Sequence, residues 1–102
     1  MRDLYHPRLE DVDLANVLHA LSDPVRLEIV RMLETGGEVA CSALNGHLSK
    51  STMSHHFKVL REAGVTHTRA NGTKRMMSLR RDELEQRFPG VLPSILQSSK
   101  AA

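Results

Sequence analysis

The chain has 102 residues, with 14 Lys and Arg against 12 Asp and Glu, for a formal charge of +2. That length holds one domain, and it leaves enough apolar surface near water to favour a partner subunit. An aromatic share of 3% demands an aliphatic core and argues against a base-stacking platform for single strands.

Cys41 is the only cysteine. It rules out an intramolecular disulfide and a multi-cysteine zinc site within one chain, and it suits a reducing, cytoplasmic setting. No apolar run approaches the roughly 20 residues that span a bilayer, so no membrane partner is expected. Residues 1–10 are polar and hold Pro7, unlike a signal peptide. They read as a polar N-terminal arm.

Residues 11–21 read as a helix, because Leu14, Val17, Leu18 and Leu21 recur at i, i+3, i+4 and i+7. Asp23 can cap the next helix, and Pro24 suits its first turn, where a missing N–H is no loss. That helix covers 24–35. Leu27, Ile29, Val30 and Leu33 lie inward, Arg26, Glu28, Arg31 and Glu34 outward, and Gly36-Gly37 stops it. Glu38-Val39-Ala40 allows a very short strand. A short helix over 41–47 follows, with Leu44 and Leu48 inward. Ser49 caps a better helix over 50–63, closed by Gly64 where a left-handed conformation is needed. Met53, Phe57 and Leu60 mark its buried face.

Residues 65–69 and 74–79 read as strands. Ala70-Asn71-Gly72-Thr73 joins them, and Asn-Gly is the strongest short hairpin signal. Residues 82–88 form a helical turn or two, begun by Asp82, Glu83 and Glu85, whose charges suit a helix N-terminus. After Pro89, the residues Val91, Leu92, Ile95 and Leu96 give a last apolar helix that tolerates Pro93 near its start. Residues 98–102 read as a flexible tail.

Two central helices separated by the tight Leu48-Ser49-Lys50 turn make a helix-turn-helix. The two-stranded ribbon after them makes it a winged helix. The predicted fold is mainly α with a small β-hairpin, in the order α-α-α-α-β-β-α, over residues 11–97.

The small net charge hides a strong division. Residues 50–81 hold eight basic residues and one acid, Glu62, while the other 70 residues carry a net charge of −5. A basic face of this kind is what phosphate neutralisation requires. On the 50–63 helix, Ser51, His55 and Lys58 point away from the buried stripe, with Thr52 and Ser54 on its flanks. Short hydroxyls let a helix approach a groove floor closely and bond base edges or phosphates. Lys50, His56 and Arg61 complete the candidate contacts of this helix. The hairpin adds Arg69, Asn71, Lys74 and Arg75 around a slim tip, suited to a backbone or a minor groove. A solvated amphipathic face explains the helix alone equally well. The turn before it and the basic hairpin after it favour double-stranded DNA as the partner.

The run Ala20-Leu21-Ser22-Asp23-Pro24-Val25-Arg26-Leu27 resembles the ArsR-type repressors. So does Ser51-Thr52-Met53-Ser54-His55-His56-Phe57-Lys58-Val59-Leu60-Arg61-Glu62-Ala63-Gly64-Val65, and so does the wing at 69–75. The resemblance covers residues 12–80. It implies a small homodimeric winged helix that binds inverted repeats in promoters, often released by an inducer such as a metal ion. It places Ser51, Thr52, Ser54, His55 and Lys58 on the recognition helix, and gives His56 a position the family commonly fills with His. The chain departs from the family's metal sensors. Ala40 and Ser42 stand where paired thiolates would be, around Cys41. Residues 82–97 contain no His, unlike the family's C-terminal site.

The six His residues give no i, i+4 pair on one helix, and adjacent His55 and His56 point about 100° apart. No metal site and no cofactor are expected, and the inducer is left open. Leu14, Val17, Leu18, Val91, Leu92, Ile95 and Leu96 are the candidate dimer residues, since the small central motif needs neither terminal stripe. No phosphate loop or nucleophile motif points to an enzyme. Two alternatives stand beside the DNA-binding repressor. One is a winged helix that binds proteins and not DNA. The other is a metal-responsive repressor with an atypical His site.

Overall fold

The computed structural model describes residues 4–100. Its first helix, α1 (Leu14–Ala20), follows a 3-10 turn at Leu9–Asp11 and is shorter than its apolar spacing predicts. The reason is Val12, which takes an extended conformation and turns into the core. Helix α2 (Pro24–Gly36) starts as expected: Asp23 Oδ1 accepts from the backbone N–H of Val25 at 2.8 Å and of Arg26 at 3.2 Å. Burial opposes ionisation of Asp23, but these two N–H groups and the Arg26 charge outweigh it and hold the carboxyl below its ordinary range. Gly37, with a φ of 71°, ends the helix.

The expected short strand forms as β1 (Val39–Ala40). The helix predicted over 41–47 shrinks to a 3-10 turn at Cys41–Leu44, because Ala40 offers no capping side chain and Gly46 adopts a φ of 57°. Helix α3 (Lys50–Glu62) is capped by Ser49, whose Oγ accepts from Thr52 N–H at 3.2 Å. Strands β2 (Thr66–Asn71) and β3 (Lys74–Leu79) pair antiparallel, with Asn71 opposite Lys74. The turn is therefore Gly72-Thr73, one residue later than the Asn-Gly signal places it. Only Gly72 has a positive φ, as a type II′ turn requires. Strand β1 joins β3 through Val39 opposite Met77, so the wing is a three-stranded sheet of order β1-β3-β2. Helix α4 (Arg81–Arg87) and helix α5 (Val91–Lys100) close the chain, with Pro93 in the first turn of α5. Residues 98–100 are thus helical rather than tail, and 101–102 lie outside the described residues.

The core is aliphatic. Ile29, Val30 and Leu33 of α2 meet Met53 and Leu60 of α3, with Val65 and Met77 beneath the sheet. It also takes Val17, Leu92 and Leu96, each at most 5% exposed. That corrects their assignment to a dimer face: a domain this small spends these side chains on its own interior. Leu14 and Leu18 stay exposed, and Val91 and Ile95 are half-buried.

Arg26 is the second correction. It does not face solvent but is 7% exposed. Its Nε donates to the Ala20 carbonyl at 2.7 Å and its Nη2 to the His19 carbonyl at 3.4 Å. Helix α1 ends with open carbonyls that a cation satisfies well.

Candidate nucleic-acid interface

Helix α3 presents Lys50, Ser51, Thr52, Ser54, His55 and Lys58 to solvent. Its buried side, Met53 and Leu60, fixes the rotation of that face. The hydroxyls of the first turn are linked, since Ser49 Oγ lies 2.8 Å from Thr52 Oγ1.

His56 turns the other way. Its Nδ1 is 3.1 Å from Arg26 Nη1, and the ring is half-buried. Arginine has no lone pair to offer, so Nδ1 is the acceptor in this hydrogen bond. His56 therefore ties α3 to α2 and, through Arg26, to the end of α1. It is withdrawn from the set of exposed contacts.

Arg61 is likewise half-buried, with its Nε closed to solvent and without a partner among the described residues. It lies in a recess between α3 and the wing, whose wall also includes Lys50, Ser54, Lys58, Lys74 and Arg75. Those five exposed side chains frame one surface built from the helix and the ribbon.

On the wing, Arg69 is not free. Its Nε and Nη2 donate to the two carboxylate oxygens of Glu38, each at 2.6 Å. The Arg69 hydrogen bond holds the Glu38 carboxyl below the usual carboxylate range, and the pair strengthens the guanidinium's hold on its proton. Arg69 thus braces the sheet before it meets any phosphate. Asn71, Lys74 and Arg75 are exposed, and neither cation has an ion-pair partner among the described residues.

Arg80 is also withdrawn from the basic segment. It is 9% exposed, donates to both Glu83 oxygens at 2.9 and 3.1 Å, and reaches the Pro7 carbonyl at 2.9 Å. The Glu83 carboxyl is held low by this hydrogen bond.

The N-terminal arm is part of the site, which the sequence did not indicate. His6 Nε2 accepts from the Thr68 backbone N–H of β2 at 3.0 Å, and its ring stacks on His67 with centroids 4.4 Å apart. Burial, then the His67 charge and more weakly those of Arg61 and Arg80, push the His6 pKa below its ordinary value, against one backbone hydrogen bond at Leu4. Residues 1–3 of the arm lie outside the described residues.

Among the described residues, no group of three or more His, Cys, Asp or Glu side chains is assembled to hold a metal ion. Cys41 is half-buried, and burial pushes its thiol up, away from the reactive thiolate. No described helix is long and apolar enough to cross a membrane.

Comparison with known proteins agrees with this geometry. The family model of a helix-turn-helix domain matches residues 21–69. An HTH-type transcriptional regulator of Bacillus subtilis, YceK, is 39% identical over 84% of this chain and 89% of its own length. The arsenical resistance operon repressor of Staphylococcus xylosus is 40% identical, covering 72% of this chain and 71% of that one. The homodimeric winged helix-turn-helix DNA-binding domain of a possible ArsR-family regulator from Mycobacterium bovis superposes with a TM-score of 0.67 at 24% identity, covering 84% of this chain and 79% of that one.

A basic helix after a tight turn, followed by a braced basic ribbon, defines a winged helix-turn-helix regulator of transcription that binds DNA. The chain belongs to the ArsR family of such regulators.

Proposed function

We propose that the chain acts as a homodimeric repressor that reads an inverted-repeat operator. Helix α3 enters the major groove with Ser51, Thr52, Ser54 and His55, and Lys50 and Lys58 hold flanking phosphates. Asn71, Lys74 and Arg75 of the wing hold the backbone or the adjacent minor groove. The observation that carries this reading is the single surface on which Lys50, Ser54, Lys58, Lys74 and Arg75 converge without an acid among them.

The homodimer of the Mycobacterium bovis relative supports a second copy here. Leu14 and Leu18, 38% and 45% exposed, are the large apolar side chains of α1 left for it, and the half-buried Val91 and Ile95 are those of α5. Two copies present two recognition helices to half-sites about one helical turn, or a multiple, apart. The protein works without a resident cofactor or metal, catalyses no reaction, and resides in the cytoplasm.

The test is an anisotropy titration against duplexes selected from random DNA, repeated across salt. His55→Ala is expected to cost about 1–3 kcal/mol and to alter sequence preference. Arg75→Ala is expected to weaken all duplexes alike and to reduce the salt slope by about one. Weak binding that does not vary with salt would instead indicate a protein-interaction module.

A further inference from the structure

A second cavity, of about 350 Å³, lies between α2 and the turn that leads into α3. That volume is at the lower end of the range of small-molecule sites. Its walls are largely apolar: Val25, Ile29 and Met32 of α2, Leu44 of the 3-10 turn, Leu48, and Met53 of α3. Met32 is 41% exposed. It lies on neither α1 nor α5, so the subunit contact proposed for those helices leaves it without a role. The loop Asn45-Gly46-His47 forms a further wall.

That loop is shaped to present donors. Asn45 is right-handed helical, with φ −68° and ψ −31°, and Gly46 follows at a φ of 57°. A right-handed residue followed by a left-handed one turns successive backbone N–H groups toward one point, a nest that takes anions. The groups here belong to Asn45, Gly46 and His47. Among the described residues none of the three has an acceptor, and the turn's own bond runs from the Leu48 N–H to the Asn45 carbonyl at 3.3 Å. Gly46 has no side chain, so it lines the cavity with its main chain. The acid on the cavity wall, Glu28, stands on α2, where Arg31 Nη1 lies 3.7 Å from its carboxylate. Apolar walls beside a nest of free donors match a molecule with an apolar body and one anionic end.

We propose that this cavity binds an apolar monocarboxylate, with its carboxylate on the three N–H groups and its body against Met32, Leu48 and Met53, and that occupancy weakens DNA binding. The second half rests on the DNA-binding reading above. Leu48 immediately precedes Ser49, the cap of α3. Asn45 also borders the recess framed by Lys50, Lys58, Lys74 and Arg75. A negative charge at that border opposes the phosphates that the same surface attracts. By linkage, a bound duplex weakens the carboxylate to the same degree.

The test uses the full chain, with benzoate as the probe at constant ionic strength. Benzyl alcohol keeps the ring without the charge, and acetate keeps the charge without the ring. Binding is followed by nitrogen-15 NMR at the Asn45, Gly46 and His47 amides. Saturable shifts are expected with benzoate, and none that saturate with the other two over the same range. Met32→Glu, at an exposed position, should abolish saturation and keep the thermal midpoint near that of wild type. Gly46→Val should abolish it through the nest, because a β-branched residue resists a positive φ. Its Cβ meets nothing within 4 Å, so no neighbour is displaced. Benzoate shifts that do not saturate, or that benzyl alcohol reproduces, would overturn the site. So would equal benzoate affinity in wild type and a folded Met32→Glu or Gly46→Val. In the DNA arm, a labelled duplex is titrated with and without saturating benzoate. Wild-type affinity should fall roughly five-fold or more, and the affinity of Met32→Glu should not respond to benzoate. A saturated cavity with unchanged duplex affinity overturns the coupling. If benzoate saturates a protein that binds no duplex, the carboxylate site stands and the DNA reading falls. If the duplex binds and benzoate does not, the reverse holds.

Discussion

At the scale of single residues, the buried arginines Arg26 and Arg80 act as fasteners. Arg26 joins the carbonyls that end α1 to the imidazole of His56 on α3. Arg26→Ala leaves a buried carbonyl and an imidazole without partners, and hydrogen bonds to charged groups are worth about 1.5–3 kcal/mol. A loss of that size is the expected result of urea unfolding. His6 gives a pH dependence with a definite sign. Its folded-state pKa is depressed below the ordinary 6.5 by burial, then by the neighbouring His67 and more weakly by Arg61 and Arg80, the last already paired with Glu83. The stability it contributes is therefore complete above pH 6.5 and is lost as pH falls through the folded-state value. Urea midpoints measured from pH 8 to pH 5 should decline below that point, and His6→Gln should flatten part of the decline.

At the scale of elements, two glycines that look alike in the sequence do different work. Gly37 and Gly64 both follow a helix, and both have positive φ, 71° and 87°. A Cβ on Gly37 meets nothing within 4 Å, whereas one on Gly64 comes within 2.6 Å of Val12 Cγ2. Gly37→Ala should cost about 1 kcal/mol from backbone strain alone. Gly64→Ala adds overpacking of about 1–3 kcal/mol, so its thermal midpoint should fall further. The contrast shows where the sequence was legible. Helix ends, caps and the hairpin announce themselves through local chemistry, as Asp23-Pro24, Ser49 and Gly64 do. The pairing of β1 with β3, the inward turn of Arg26 and the hold of His6 on β2 join residues far apart in the chain. Periodicity carries no signal for them. The wing cations show the same limit. Arg69, Lys74 and Arg75 read as equivalent in sequence, and only the fold brings Glu38 onto Arg69.

At the scale of the whole molecule, the core has absorbed three of the seven apolar side chains that the terminal stripes offered for association. Leu14 and Leu18 carry what α1 has left. Leu18→Glu is expected to leave the fold intact and shift sedimentation toward the monomer, with loss of tight binding to a two-half-site duplex. Unchanged sedimentation and unchanged affinity would place the subunit contact elsewhere. The charge of the chain is also sharper in space than along the sequence. Glu38 and Glu83 lie outside the basic segment in sequence, yet they neutralise Arg69 and Arg80 within it. What remains exposed for phosphates is Lys50 and Lys58 on α3, Lys74 and Arg75 on the wing, and Arg81 at the start of α4.

Strand β2 lies at the outside of the order β1-β3-β2, and one imidazole nitrogen of the arm occupies its Thr68 N–H. An open sheet edge is a template on which another chain can add a strand. The arm therefore serves as a stopper against edge-to-edge growth. Acid that protonates His6 would unblock the edge, so loss of stability and a tendency to form extended aggregates should set in over the same pH interval.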